Sequence, residues 1–101
     1  MKNKLKALFI FIFCIVLVSL FWKNNLLLTV LLSISLISII IFFHNKKDLI
    51  VIFVSGIGGA VGEAILVSFK IWNYANPTIF SIPMWLPLAW AHIAVIVLLL
   101  R

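Results

Sequence analysis

Acidic side chains are almost missing from this chain: Asp48 and Glu63 are the only two among 101 residues, set against eight lysines and arginines. A soluble domain must cover most of its surface with polar groups. A charged fraction of 10% beside a hydrophobic fraction of 66% cannot do that. Cysteine occurs once, as Cys14 inside an apolar run. A lone thiol excludes an intrachain disulfide and a thiolate metal cluster, and a small packing residue is the expected role. Also missing are a P-loop, a dinucleotide-binding fingerprint, a Ser-His-Asp arrangement and any residue set that would hold a cofactor. The net charge of +6 sits in short clusters between apolar runs. That pattern points to membrane topology and anionic headgroups, with no nucleic acid partner.

What is present is length without polarity; the mean hydropathy is +1.37. Four apolar runs are visible: Leu5–Trp22, Leu26–Phe43, Leu49–Phe69, and a last run that starts between Pro83 and Pro87 and ends at Leu100. Each approaches the ~20 residues that a helix needs to cross a bilayer. Inside lipid every backbone amide must be satisfied within its own segment, so helices are expected despite the many β-branched residues. The expectation is an all-α polytopic membrane protein, one domain over residues 1–101. Its four transmembrane helices, near 5–22, 26–43, 49–70 and 84–100, form an antiparallel bundle. The start "MKNKLKALFIFIFCIVLVSL" has the charge pattern of a signal peptide. The following "FWKNN" offers no small-residue cleavage site, which favours an uncleaved first span.

The connections after the first two runs are short, and they place neighbouring helices antiparallel. With four spans, Lys2, Lys4, Lys6, Lys46, Lys47 and Arg101 share one side and only Lys23 and Lys70 the other. The positive-inside rule then puts both termini in the cytoplasm of a multi-pass cell-membrane protein. His44 falls in the basic cytoplasmic turn and is expected to be solvated. The third connection, "KIWNYANPTIFSIPMW", is longer and carries Trp72, Tyr74 and Trp85. Such aromatics settle at headgroup level, and Pro77 and Pro83 break any continuous helix. An aromatic outer loop lying along the interface is expected.

Glu63 stands alone in the third run, about 21 Å above Leu49 by helical rise and so in the outer half of the bilayer. A charged carboxylate there costs at least ~2.5 kcal/mol. It needs a proton, a cationic partner or a water-filled cavity. His92 on the fourth helix lies at a similar depth and is the expected hydrogen-bond partner. Lys70 shares a helical face with Glu63, and Tyr74 and Trp90 are candidate neutral donors. Gly58 and Gly62 form a G-x-x-x-G pair for helix packing, and Gly56, Ala60 and Ala64 line a second small ridge. Either would admit another span or another copy of the chain, as a homodimer or a larger membrane complex. Ser35 and Ser38 share a face of the second helix and are assigned only to packing. The plain alternative makes Glu63 interhelical glue, fully buried and bonded to His92 or a serine.

The stretch from Glu63 through "WNY" to "SIPMWLPLAW" resembles small uncharacterised four-span prokaryotic membrane proteins with a membrane glutamate, a W-x-Y element and an I-P-x-W-L-P-x-x-W lead into the last helix. It is also similar to membrane proteins of carotenoid biosynthesis, the hydratase and lycopene cyclase types, at Glu63, Trp72, Tyr74, Pro83 and Trp90. That resemblance implies an isoprenoid or lipid substrate. The small multidrug resistance transporters resemble the chain in length, span number and a single membrane glutamate. They carry the acid in the first helix, whereas this chain carries it in the third.

Three functions follow. The first is a binding or accessory protein whose pocket around Glu63, His92, Trp72, Tyr74, Trp85 and Trp90 takes an apolar or amphipathic small molecule among membrane lipids. The second is an isoprenoid- or lipid-modifying enzyme with Glu63 as acid, His92 beside it, and aromatic rings stabilising a carbocation. The third is a dimeric proton-coupled transporter using Glu63.

Overall fold

The computed structural model describes residues 2–43, 45–74 and 77–101; the loop histidine His44 and part of the aromatic connection, Ala75 and Asn76, lie outside the described residues. Among the described residues there are four helices: α1 (Lys2–Phe21), α2 (Asn25–Ile40), α3 (Lys46–Ser68) and α4 (Leu86–Leu100). By length and composition α1 and α3 are long and apolar enough to cross a membrane, whereas α2 and α4 are shorter, at 16 and 15 residues.

Capping chemistry moves the helix ends away from the limits of the apolar runs. The Asn24 side chain accepts the Leu27 N–H at 3.1 Å and starts α2. Asn45 does the same for the Lys47 N–H at 2.9 Å, so α3 begins at Lys46 rather than Leu49. That extra turn places Asp48 at the positive end of the helix dipole. At its other end α3 stops at Ser68, short of residue 70. Lys70 adopts φ 60°. The Lys70 N–H bonds Val67 O at 2.9 Å and the Ile71 N–H bonds Leu66 O at 3.3 Å. This is a Schellman stop, with lysine in the left-handed position that usually holds glycine. In α4 the proline falls in the first turn, where its missing N–H leaves no helical bond unmade.

Between α3 and α4 the chain makes a two-residue turn. Ile79 and Ile82 pair through both backbone groups, at 3.0 and 2.8 Å. Phe80 and Ser81 at the tip have φ 45° and 65°. Both lie in the left-handed region that this hairpin geometry demands and that Asn-Gly fills more easily. Phe80 is thereby pushed outward and is 86% exposed.

α4 is the central helix. It packs against α3, α1 and α2, while α3 rests chiefly on α4 and makes little contact with its sequence neighbour α2. One apolar cluster joins Leu17, Leu28, Leu32 and Ala60 to Ile82, Trp85 and Leu86. A second joins Ile52 to Ala91, Ala94 and Val95. The first marks an aromatic end of the molecule. At the opposite, basic end Arg101 grips Asp48 through two 2.7 Å hydrogen bonds.

Burial is inverted relative to a water-soluble domain. Phe9, Phe42 and Phe53 are each about 70% exposed or more, whereas His92 is fully buried and Asp48 and Asn25 are nearly so. No buried side-chain polar atom among the described residues lacks a partner.

The close approach of helices comes from a different pair of glycines than expected. A methyl group at Gly58 or Gly62 would meet nothing within 4 Å, so these two residues do not pack helices within the chain. Gly56 and Gly59 do. A Cβ at Gly56 would sit 2.9 Å from Pro87 O and 3.3 Å from Ala91 Cβ, and one at Gly59 would overlap the Trp90 ring. Gly58→Ala should therefore leave stability unchanged or raise it by up to ~1 kcal/mol through helix propensity. Gly56→Ala should lower it by about 1–3 kcal/mol through overpacking against fixed backbone. Thermal melting of the two purified variants checks this, and equal losses would contradict the α3–α4 packing.

Candidate functional site

Glu63 sits in the fifth turn of α3, on the side that meets α4. Two donors from different elements hold its carboxylate. The Tyr74 hydroxyl, from the connection after α3, donates to Oε1 at 2.6 Å. The Trp90 indole N–H, from α4, donates to Oε2 at 2.6 Å. Both distances are short, as hydrogen bonds to a carboxylate are. Gly59 explains how Trp90 gets there. It lies one turn before Glu63 on the same face of α3, and without a side chain it lets the indole lie against the helix backbone with its N–H directed at the glutamate.

Both donors are neutral, and neither Lys70 nor His92 bonds the carboxylate. Glu63 is partly exposed, not sealed. A carboxylate offers about four lone-pair positions, and two are taken here. Burial and the adjacent Glu63 carboxylate push the Tyr74 phenol well above its ordinary value of 10, while Trp72 pulls the other way. Trp72 itself is 39% exposed, at the outer edge of this group.

The expected Glu63–His92 bond is not formed. Trp90 and His92 are two residues apart, about 200° around a helix. When Trp90 faces α3, His92 must face away from it, toward α2. There His92 Nε2 lies 2.9 Å from Ser35 Oγ and Nδ1 lies 2.7 Å from Leu88 O. A carbonyl only accepts, so Nδ1 carries a proton, and in the neutral ring Nε2 accepts from the serine hydroxyl. Ser35 is thus the partner of a fully buried histidine and more than a packing residue. Trp85 likewise turns inward and donates to Asn25 Oδ1 at 3.1 Å; it is 7% exposed and belongs to the core of the aromatic end. Gly58 and Gly62 face open space on α3, about 140° and 100° around the helix from Glu63.

Sequence reasoning missed three contributors. Gly59 was hidden among four glycines of similar spacing, and only the rotation of α3 separates it from Gly58. Asn25 and Ser35 looked like ordinary polar residues at a helix start and within an apolar run. The Asp48–Arg101 pair had a signal, since both residues fall on the same predicted side and one is among only two acids. Among the described residues no three His, Cys, Asp or Glu side chains come together to hold a metal ion. Compared with protein-family models, with curated proteins and with solved structures, the chain matches none.

Tyr74 is the only tyrosine, so its ionisation can be followed by ultraviolet absorbance without interference. The folded phenol is raised, first by burial and then by its bond to Glu63, so its neutral form contributes stability that is complete below pH 10 and is lost as pH climbs above that value. Tyrosinate absorbance should appear only well above pH 10 in the native protein. In Glu63→Gln, which removes the negative charge, it should appear at lower pH. An onset at pH 10 in both would mean that the Tyr74–Glu63 contact is not formed.

Proposed function

We propose that this protein is an integral membrane protein crossing the bilayer four times, with its helices antiparallel and both termini on the cytoplasmic side. Glu63, Tyr74 and Trp90 form the polar end of a site for an apolar or amphipathic ligand in the outer half of the membrane. Support for the membrane placement comes from the inverted burial: large apolar side chains face outward and the few polar ones face each other. The longest dimension, 39 Å, suits a bilayer of about 40–45 Å including headgroups. The exposed lysines of the basic end fit the cytoplasmic face.

The observation that carries the ligand reading is the two-donor clamp on a carboxylate that stays partly open. Interhelical glue would be closed on all sides, with its bonds spent between helices. Here one donor comes from a loop, no cationic partner is present among the described residues, and acceptor capacity is left over. A ligand group that donates hydrogen bonds or carries positive charge complements this end. The open surface at Gly62, next in sequence to Glu63, gives its apolar part a place to lie against α3.

The test is purification in mild detergent, with mass spectrometry of co-purifying small molecules for wild type and Glu63→Gln. A species present in the wild type and lost in a variant of similar melting temperature is the expected result. No bound species, together with a lowered melting temperature in the variant, would reduce Glu63 to glue and end this reading.

A further inference from the structure

The basic end holds a second feature that the Glu63 site does not use. A cleft of about 890 Å³ opens between the start of α1, the end of α2, the start of α3 and the end of α4. That volume lies in the ~300–1,000 Å³ range of small-molecule sites. Its wall is apolar, built by Phe9, Ile10, Ile39 and Leu99 among others. Its rim is polar and positive, with Lys6, Asn3 and Arg101. Phe9 and Ile10 lie one turn deeper along α1 than Lys6, about 5–6 Å by helical rise. Charge and apolar depth are thus arranged in series.

The only carboxylate side chain on this lining is already committed. Both oxygens of Asp48 accept from Arg101, each at 2.7 Å. Arg101 spends two of its five N–H donors on that pair, and its side chain is 59% exposed. The pair fixes the guanidinium at the rim with donors to spare, and Lys6 adds a second positive charge. Lys46 and Lys47, which precede Asp48 in the first turn of α3, add more positive charge nearby.

We propose that this cleft seats one anionic phospholipid, with its phosphate headgroup between Lys6 and Arg101 and an acyl chain along the wall of Phe9, Ile10, Ile39 and Leu99. A neutral apolar molecule would leave the Lys6 charge and the spare Arg101 donors unanswered. A free anion would leave the wall unfilled. Only a molecule with both parts uses both surfaces. The inference rests on the membrane placement proposed above and is independent of the Glu63 ligand.

The experiment is native mass spectrometry of the detergent-solubilised full chain, titrated separately with phosphatidylglycerol and with phosphatidylcholine of identical chains. The expected result is one lipid bound per chain, with phosphatidylglycerol preferred about fivefold or more. Lys6→Gln should weaken phosphatidylglycerol about fivefold and leave phosphatidylcholine unchanged, the factor expected for about 1 kcal/mol per basic residue at an anionic headgroup. Leu99→Trp, which fills the wall, should weaken both lipids, and Glu63→Gln should weaken neither. Lys6 is exposed, so its variant folds and reports on binding alone. Equal retention of the two lipids by wild type, or undiminished phosphatidylglycerol in Lys6→Gln, would overturn the site. Displacement of the lipid by inorganic phosphate alone would reduce it to an anion site and overturn it as well. A chain that stays soluble without detergent and ignores vesicles would instead overturn the membrane placement, a failure distinct from these.

Discussion

Each of the four side-chain links between helices described above has one partner on α4 or at its ends. Trp85 at the N-cap reaches Asn25, Trp90 reaches Glu63, His92 reaches Ser35, and Arg101 at the C-cap reaches Asp48. The spacing is regular. Trp85 and His92 are seven residues apart, two helical turns, and both address α2. Trp90 and Arg101 are eleven apart, three turns, and both address α3. Two polar stripes on one otherwise apolar helix therefore set the rotation of α4 against two neighbours at once. Apolar contact alone does this poorly when the helices are equally apolar on their outward sides.

The same arrangement gives Glu63 and Asp48 different tasks on one helix. Both bind α3 to α4, the one helix that α3 packs against appreciably. Asp48 meets a full positive charge, is nearly buried, and has both oxygens spent. Glu63 meets only neutral donors, is partly open, and depends for one of its two bonds on a loop. The closed pair fixes position. The open one retains chemistry to offer.

The presence of four helices was legible in the chain because each corresponds to an apolar run of near-spanning length. Their ends were less so. Asn24 and Asn45 are short polar residues next to other polar residues, and nothing local distinguishes a cap from a loop until its bond is seen. Lys70 ends α3 in a backbone conformation that its residue type does not announce. In the candidate site, depth along the helix was readable and rotation about it was not. Helical rise brought Glu63 and His92 to one level, but a two-residue offset sends Trp90 toward Glu63 and His92 the other way. The glycines failed for the same reason: Gly58 and Gly62 make a clean four-residue pattern, yet α3 turns Gly56 and Gly59 toward α4. Tyr74 and Trp90 were recognisable as donors because few other groups could reach an acid at that height.

The position of α4 in the sequence has a consequence for the order of events during synthesis. A ribosome makes the chain from its N-terminal side, so Asn25, Ser35, Asp48 and Glu63 are all in place before the first of their partners, Trp85, has been translated. Until then none of these four side-chain bonds can form. The last helix then supplies all four partners within a span of seventeen residues, 85 to 101. A premature stop ahead of Trp85 would remove every one of these bonds together. These four bonds therefore form only after α4 is made, while α1 and α2 can already pack on each other.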